Sequence, residues 1–126
     1  NIVSYNDFND IVLLDINGEG FPALPLFKGT DYGLGTEVLT IGTPADIELG
    51  QSISKGIISG KREKDGHVYL QLDMAVSPGN SGGPLIGEDG KILGIVQSKI
   101  IGEGIEGIGF AIPIDRVKEL LNIAVK

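Results

Sequence analysis

Two Asp-Gly pairs, Asp65-Gly66 and Asp89-Gly90, each set between runs rich in Ile, Val and Leu, constrain this chain more than any other feature. Asp-Gly offers the tight two-residue turn that matches strand twist, so each pair predicts an antiparallel hairpin. The first joins residues 52–59 to 67–74 across a charged tip at 60–66, and the second joins 84–86 to 92–98. Gly56 within the first arm predicts a bulge or a close backbone approach. Further strand-length runs lie at 2–5, 11–16, 37–41 and 108–112, with a short edge strand at 24–27. The 11–16 run is largely apolar and predicts a buried strand. About seven strands emerge, and only residues 115–123 read as helix, with Asp115 as N-cap and an apolar stripe of Val117, Leu120 and Leu121.

Many short strands remove their exposed edges most simply by closure, so the expected fold is all-β: an antiparallel barrel of six to seven strands with a C-terminal helix. A chain of 126 residues suits one domain that buries its own core. Cysteine is absent and histidine occurs once, which excludes a disulfide framework, thiolate chemistry and a His-rich metal site. Net charge is −7 with no basic stripe, so nucleic acid is a poor partner. No apolar run reaches the roughly 18 residues of a membrane span, and the first residues lack the basic region of a secretory signal. The expectation is a soluble chain that needs no cofactor.

Between the two hairpins lies Ser77-Pro78-Gly79-Asn80-Ser81-Gly82-Gly83-Pro84-Leu85, in which three glycines and two prolines surround Ser81. Such a segment is a shaped loop. Read simply it is a tight polar turn; read chemically it can aim successive backbone N–H groups at one point beside a nucleophilic hydroxyl. The longer match decides between them: Asn80-Ser81-Gly82-Gly83-Pro84-Leu85, with Gln71-Leu72-Asp73 upstream, resembles the nucleophile loop of chymotrypsin-like serine proteases, most closely the HtrA (DegP/DegS-like) branch. The resemblance extends, in order, through residues 37–44, 55–59, 71–85, 94–95 and 107–113, and covers roughly residues 9 to 120.

The resemblance implies the C-terminal half of the chymotrypsin/trypsin double-barrel fold. Residues 1–23 would be the end of an N-terminal barrel and the inter-barrel linker, 24–114 the C-terminal barrel and 115–126 the C-terminal helix. It implies a serine endopeptidase acting on unfolded or misfolded polypeptide, in the cell envelope or periplasm. Ser81 would be the nucleophile, the N–H groups of Gly79 and Ser81 the oxyanion hole, with Asn80 shaping the turn between them. Asp10, directly before Ile11, stands where the family carries its triad acid. Taken alone, Asp10 also suits an Asx-turn or a strand-end cap, and Asp7 is the weaker alternative.

A serine hydroxyl needs a base, and the chymotrypsin-like order puts histidine first, aspartate second and serine last. The single histidine, His67, falls between Asp10 and Ser81 and reads as an exposed hairpin residue. The triad histidine is therefore expected on a partner barrel preceding this chain, and the chain alone is expected to be inactive. An alternative is a non-catalytic peptide-binding or structural half-barrel, which would dimerise through its unpaired face; HtrA-like proteins are also commonly trimeric. For specificity, Ala75 takes the position where Lys- and Arg-directed relatives carry an acid. With Ile95, Val96, Gln97, Ser98, Lys99 and Ile100 as the other wall, a pocket for Val, Ala or Leu is expected. Asp73 would brace the loop as a hydrogen-bond acceptor.

Overall fold

The chain turns at both Asp-Gly pairs. The computed structural model describes residues 1–42, 52–74, 78–97 and 108–124. In chain order the elements are β1 (Ile2–Asn6), β2 (Ile11–Leu14), β3 (Glu37–Gly42), β4 (Ser52–Lys64), β5 (His67–Asp73), β6 (Pro84–Gly87), β7 (Ile92–Gln97), β8 (Ile108–Pro113) and α1 (Ile114–Leu121), with a 3-10 turn at Pro78–Asn80. Six strands close an antiparallel barrel in the order β3-β4-β5-β8-β7-β6, with β6 returning to pair with β3. β1 and β2 form a separate two-stranded ribbon. The all-β barrel with one terminal helix is the architecture expected from the sequence.

Alternation builds the core. Ile58, Leu70, Leu72, Leu85, Val96 and Ile112 are fully or almost fully buried inside the barrel, and each such side chain contributes about 1.5–3 kcal/mol through its removal from water. Closure also explains why β5 reads as half apolar: Tyr69, Leu70 and Leu72 are buried while Val68 and Asp73 face outward.

Five local differences from the sequence reading have physical causes. β4 runs on to Lys64, so the expected seven-residue tip shrinks to Asp65 and Gly66, whose φ angles of 53° and 80° form the left-handed pair that a tight hairpin turn requires. The bulge of this hairpin falls between Ile58 and Gly60. Gly56 meets the other expectation, a close backbone approach, because a Cβ there would collide with the Asp73 carbonyl. The 24–27 edge strand reduces to a single parallel bridge, Leu26 to Ile92.

The other two differences concern the elements that flank the barrel. β2 is not buried: Ile11 and Leu13 are half-buried against the core, while Val12 and Leu14 face outward. Among the described residues β2 pairs only with β1; one face of this ribbon rests on the body of the protein and the other is exposed. Ser4 Oγ fixes it to α1 by donating to the Leu121 carbonyl at 2.7 Å. Helix α1 begins two residues earlier than an Asp115 cap would place it, at Ile114 with Pro113 at the N-cap, a position that tolerates proline because its N–H makes no helical bond. Asp115 lies in the first turn and accepts a hydrogen bond from Tyr32 Oη at 2.5 Å. Val117 and Leu121 bury the helix against the barrel. Its end is closed by Asn122 at φ 61° and by the Ile123 N–H bond to Lys118 O at 2.8 Å.

Candidate active site

Ser81 and Asp10 are far apart in the chain but line one cleft. Its volume is about 430 Å³, and Gly82, Ile95, Gln97 and Leu121 help to form its walls. Asp10 is the charged residue among the described lining residues, and both Asp10 and Ser81 are solvent-exposed. The arrangement sets a hydroxyl and a carboxylate around one opening between the barrel and the β1–β2 ribbon.

The serine loop is held by backbone on both sides. The Gly82 N–H donates to Val96 O at 2.7 Å, and the Val96 N–H donates to Gly83 O at 2.9 Å, so the loop docks on the end of β7. The Gly83 N–H closes the turn on Asn80 O at 3.0 Å. On the opposite side, Thr40 Oγ1, fully buried, donates to Pro84 O at 2.8 Å. Asn80 is buried too, and its side chain occupies the space over Gly42, where a Cβ would overlap it. Gly79 is exposed next to it.

The acid turn is built from its own polar residues. Asn6 Oδ1 accepts the Asn9 N–H at 2.9 Å, an Asx-type closure, and the Asp10 N–H reaches Asp7 O at 3.3 Å. Asp10 sits at φ 57°, a left-handed conformation that aspartate tolerates better than most residues. Asn9 is buried; its Nδ2 donates to Tyr69 Oη at 3.4 Å, and Gln97 Nε2 donates to its carbonyl. Asn9 Oδ1 has no hydrogen-bond partner among the described residues.

Strand alternation sorts the expected specificity residues. Ile95 and Gln97 point toward the cleft, whereas Val96 is fully buried in the core and meets the serine loop through its backbone alone. Ala75, Ser98, Lys99 and Ile100 lie outside the described residues. Asp73 ends β5 with an exposed side chain.

His67 is not the exposed hairpin residue the sequence suggested. Its ring packs on Phe8 with centroids 4.7 Å apart, and its Nδ1 lies 3.4 Å from Arg116 Nη2. The pairing of the two turns causes this: β5 starts beside the 7–10 turn, so the histidine meets the aromatic residue at its tip. It does not line the Ser81 cleft. Nothing in the sequence marked Asn9, Tyr69 or Gly42 as parts of the site. Asn9 has no signal beyond being polar and next to a candidate acid, and Gly42 simply follows the strand-length run at 37–41. Among the described residues no cluster of metal ligands occurs, and no helix is long and apolar enough to cross a membrane.

Comparison with known proteins places this geometry. The chain is 35% identical over 94% of its length to "Serine protease Do-like HtrA" of Bacillus subtilis, covering 29% of that protein. It is 36% identical over 96% of its length to a "Probable periplasmic serine endoprotease DegP-like" of Pseudomonas putida, covering 26% of it. Among solved structures, the serine endoprotease from Yersinia pestis superposes with a TM-score of 0.79 at 34% identity, over 94% of this chain and 41% of that one. The HtrA-type protease AlgW, described with a decapeptide, gives 0.80 at 30% identity, over 95% of this chain and 38% of its own. The chain thus spans about a quarter to a third of the length of the curated relatives it matches. The trypsin-like peptidase domain matches residues 1–95, and with the closed barrel, the ordered serine loop and the HtrA-type relatives in agreement, this chain belongs to the trypsin-like peptidase family.

Proposed function

We propose that this chain is the C-terminal portion of an HtrA-type serine endopeptidase that cleaves unfolded or misfolded polypeptide through an acyl-enzyme at Ser81. The observation that carries the reading is the shared cleft of Ser81 and Asp10. Ser81 Oγ attacks the scissile carbonyl, the N–H groups of Gly79 and Ser81 stabilise the oxyanion, and Asp10 orients the imidazole that takes the serine proton. That imidazole belongs to a histidine on a preceding barrel, because His67 is engaged with Phe8 and Arg116 away from the cleft. Support for a longer parent comes from the small share of each relative that the chain covers. Ala75 in place of an acid favours cleavage after Val, Ala or Leu. The periplasmic naming of Pseudomonas relatives supports an extracytoplasmic location.

A serine-directed phosphonate tests this. With the preceding segment present, Ser81 gains the probe mass and peptides are cut after small aliphatic residues. The chain alone labels slower by several orders of magnitude, since a triad member is absent. Equal labelling of both would refute the missing-base account. Absence of labelling in the longer protein would favour a non-catalytic half-barrel that binds peptides.

A further inference from the structure

We propose that Gln97 is a positioning residue which holds the Asp10 turn in register with the serine loop through the end of β7. The inference rests on the roles of Ser81 and Asp10 given above. Consecutive residues of one strand grip the two halves of the site. Val96 takes the serine loop with both backbone groups, through Gly82 N–H and Gly83 O at 2.7 and 2.9 Å. Gln97, the next residue, donates from Nε2 to the Asn9 carbonyl. That carbonyl and the Asp10 N–H belong to one planar peptide unit. Fixing the carbonyl therefore fixes the plane from which the Asp10 side chain departs.

Three features make Gln97 the controlling contact. Asn9 and Gln97 are both buried, so water is a poor substitute for the lost donor. The remaining side-chain tie of Asn9, to Tyr69 Oη, is long at 3.4 Å. Asp10 itself sits at φ 57°, a conformation that local preference alone does not select. The bonds from Asn6 and Asp7 shape the turn internally, but they do not fix it to the barrel. Gln97 supplies a hydrogen bond that joins the turn to the strand on which the nucleophile loop docks.

The test uses Gln97→Met in the full-length protein, which keeps side-chain length and removes the donor. Expected is a fall in kcat of about 10- to 100-fold with KM within about twofold, because a small misplacement of a catalytic group acts on the chemical step. In an Asp10→Asn background the same change should cause no further loss, since the effect passes through Asp10. Amide exchange at Asn9 and Asp10 should quicken while Gly82 and Gly83 keep their protection. Unchanged kcat, or losses that simply add, would overturn the proposal. Should the wild-type protein neither hydrolyse peptide nor label at Ser81, the functional reading fails; the exchange measurement then decides alone, and unaltered protection of Asn9 and Asp10 refutes the tether. Should Gln97→Met not fold, Gln97→Glu, which keeps the shape and loses the donor, is judged by the same readouts.

Discussion

Gly42 closes β3 directly against the loop that carries Ser81, and the absence of a side chain there is what lets Asn80 tuck in. A Cβ at this position would overlap the Asn80 side chain and come within 2.9 Å of the Gly79 carbonyl. Gly42→Ala is therefore expected to destabilise the fold by about 1–3 kcal/mol, the usual range for overpacking, as read from urea unfolding. On the proposed function it should also slow phosphonate labelling of Ser81 in the full-length protein, because relief of the clash moves the Gly79–Ser81 turn. Wild-type stability and labelling in this variant would show that the contact is adjustable. Ser81 stands out in the sequence because three glycines and two prolines surround its hydroxyl. Gly42 does not, since a glycine that ends a strand and one that makes room for a neighbour look alike until the neighbour is placed. The same is true of Gln97, which reads as a pocket wall until Asn9 is seen against it.

Helix α1 is coupled to the rest of the protein by a buried phenol as well as by its apolar face. Tyr32, almost wholly buried, donates to Asp115 Oδ1 at 2.5 Å and accepts the Asp115 N–H at 3.1 Å. Burial first, and the neighbouring carboxylate second, hold the phenol proton on well above the usual tyrosine range. An unfolded chain loses that proton near pH 10, whereas the folded chain keeps it, so above that pH the folded state binds more protons. The stabilising contribution is complete below about pH 9 and declines as pH rises beyond 10, with a slope of up to about 1.4 kcal/mol per pH unit from this group. Tyr32→Phe should cost about 1 kcal/mol at pH 7 and give a flatter decline between about pH 10 and 11 in denaturant titrations. An identical alkaline slope in both proteins would remove Tyr32 as its source. The apolar stripe made the helix legible, and Asp-Gly chemistry made both hairpins legible. The capping role assigned to Asp115 was not, because a long-range phenol competes for the same carboxylate and no local pattern records that. Nor did the apolar run at 11–16 reveal its exposure: composition shows that a strand wants to be covered, not whether its cover lies in the same chain.

That last point governs the molecule as a whole. The barrel satisfies its own edges, yet the β1–β2 ribbon turns Ile2, Tyr5, Val12 and Leu14 outward, with Ile2 67% and Tyr5 65% exposed. Phe21 and Leu24 follow in the connecting segment and are exposed as well. Apolar side chains gathered in this way on one short stretch mark a surface that another element covers, and in the functional reading the preceding barrel does so. With that surface uncovered, the chain has two ways to lower the cost: self-association, or distortion of the ribbon that holds Asp10. The Ser4 bond to Leu121 and the Gln97 bond to Asn9 oppose the second, so self-association is the expected outcome. Light scattering of this chain should give a mass that rises with concentration, and Tyr5→Lys with Val12→Lys should return it toward the monomer, because the added charges must be desolvated on association. If the proposed function holds, the same pair in the full-length protein should lower the Ser81 labelling rate, because it would loosen the junction with the barrel proposed to carry the histidine. A chain that stays monomeric throughout, together with undiminished labelling in the charged variant, would mean that the outward face of the ribbon meets nothing.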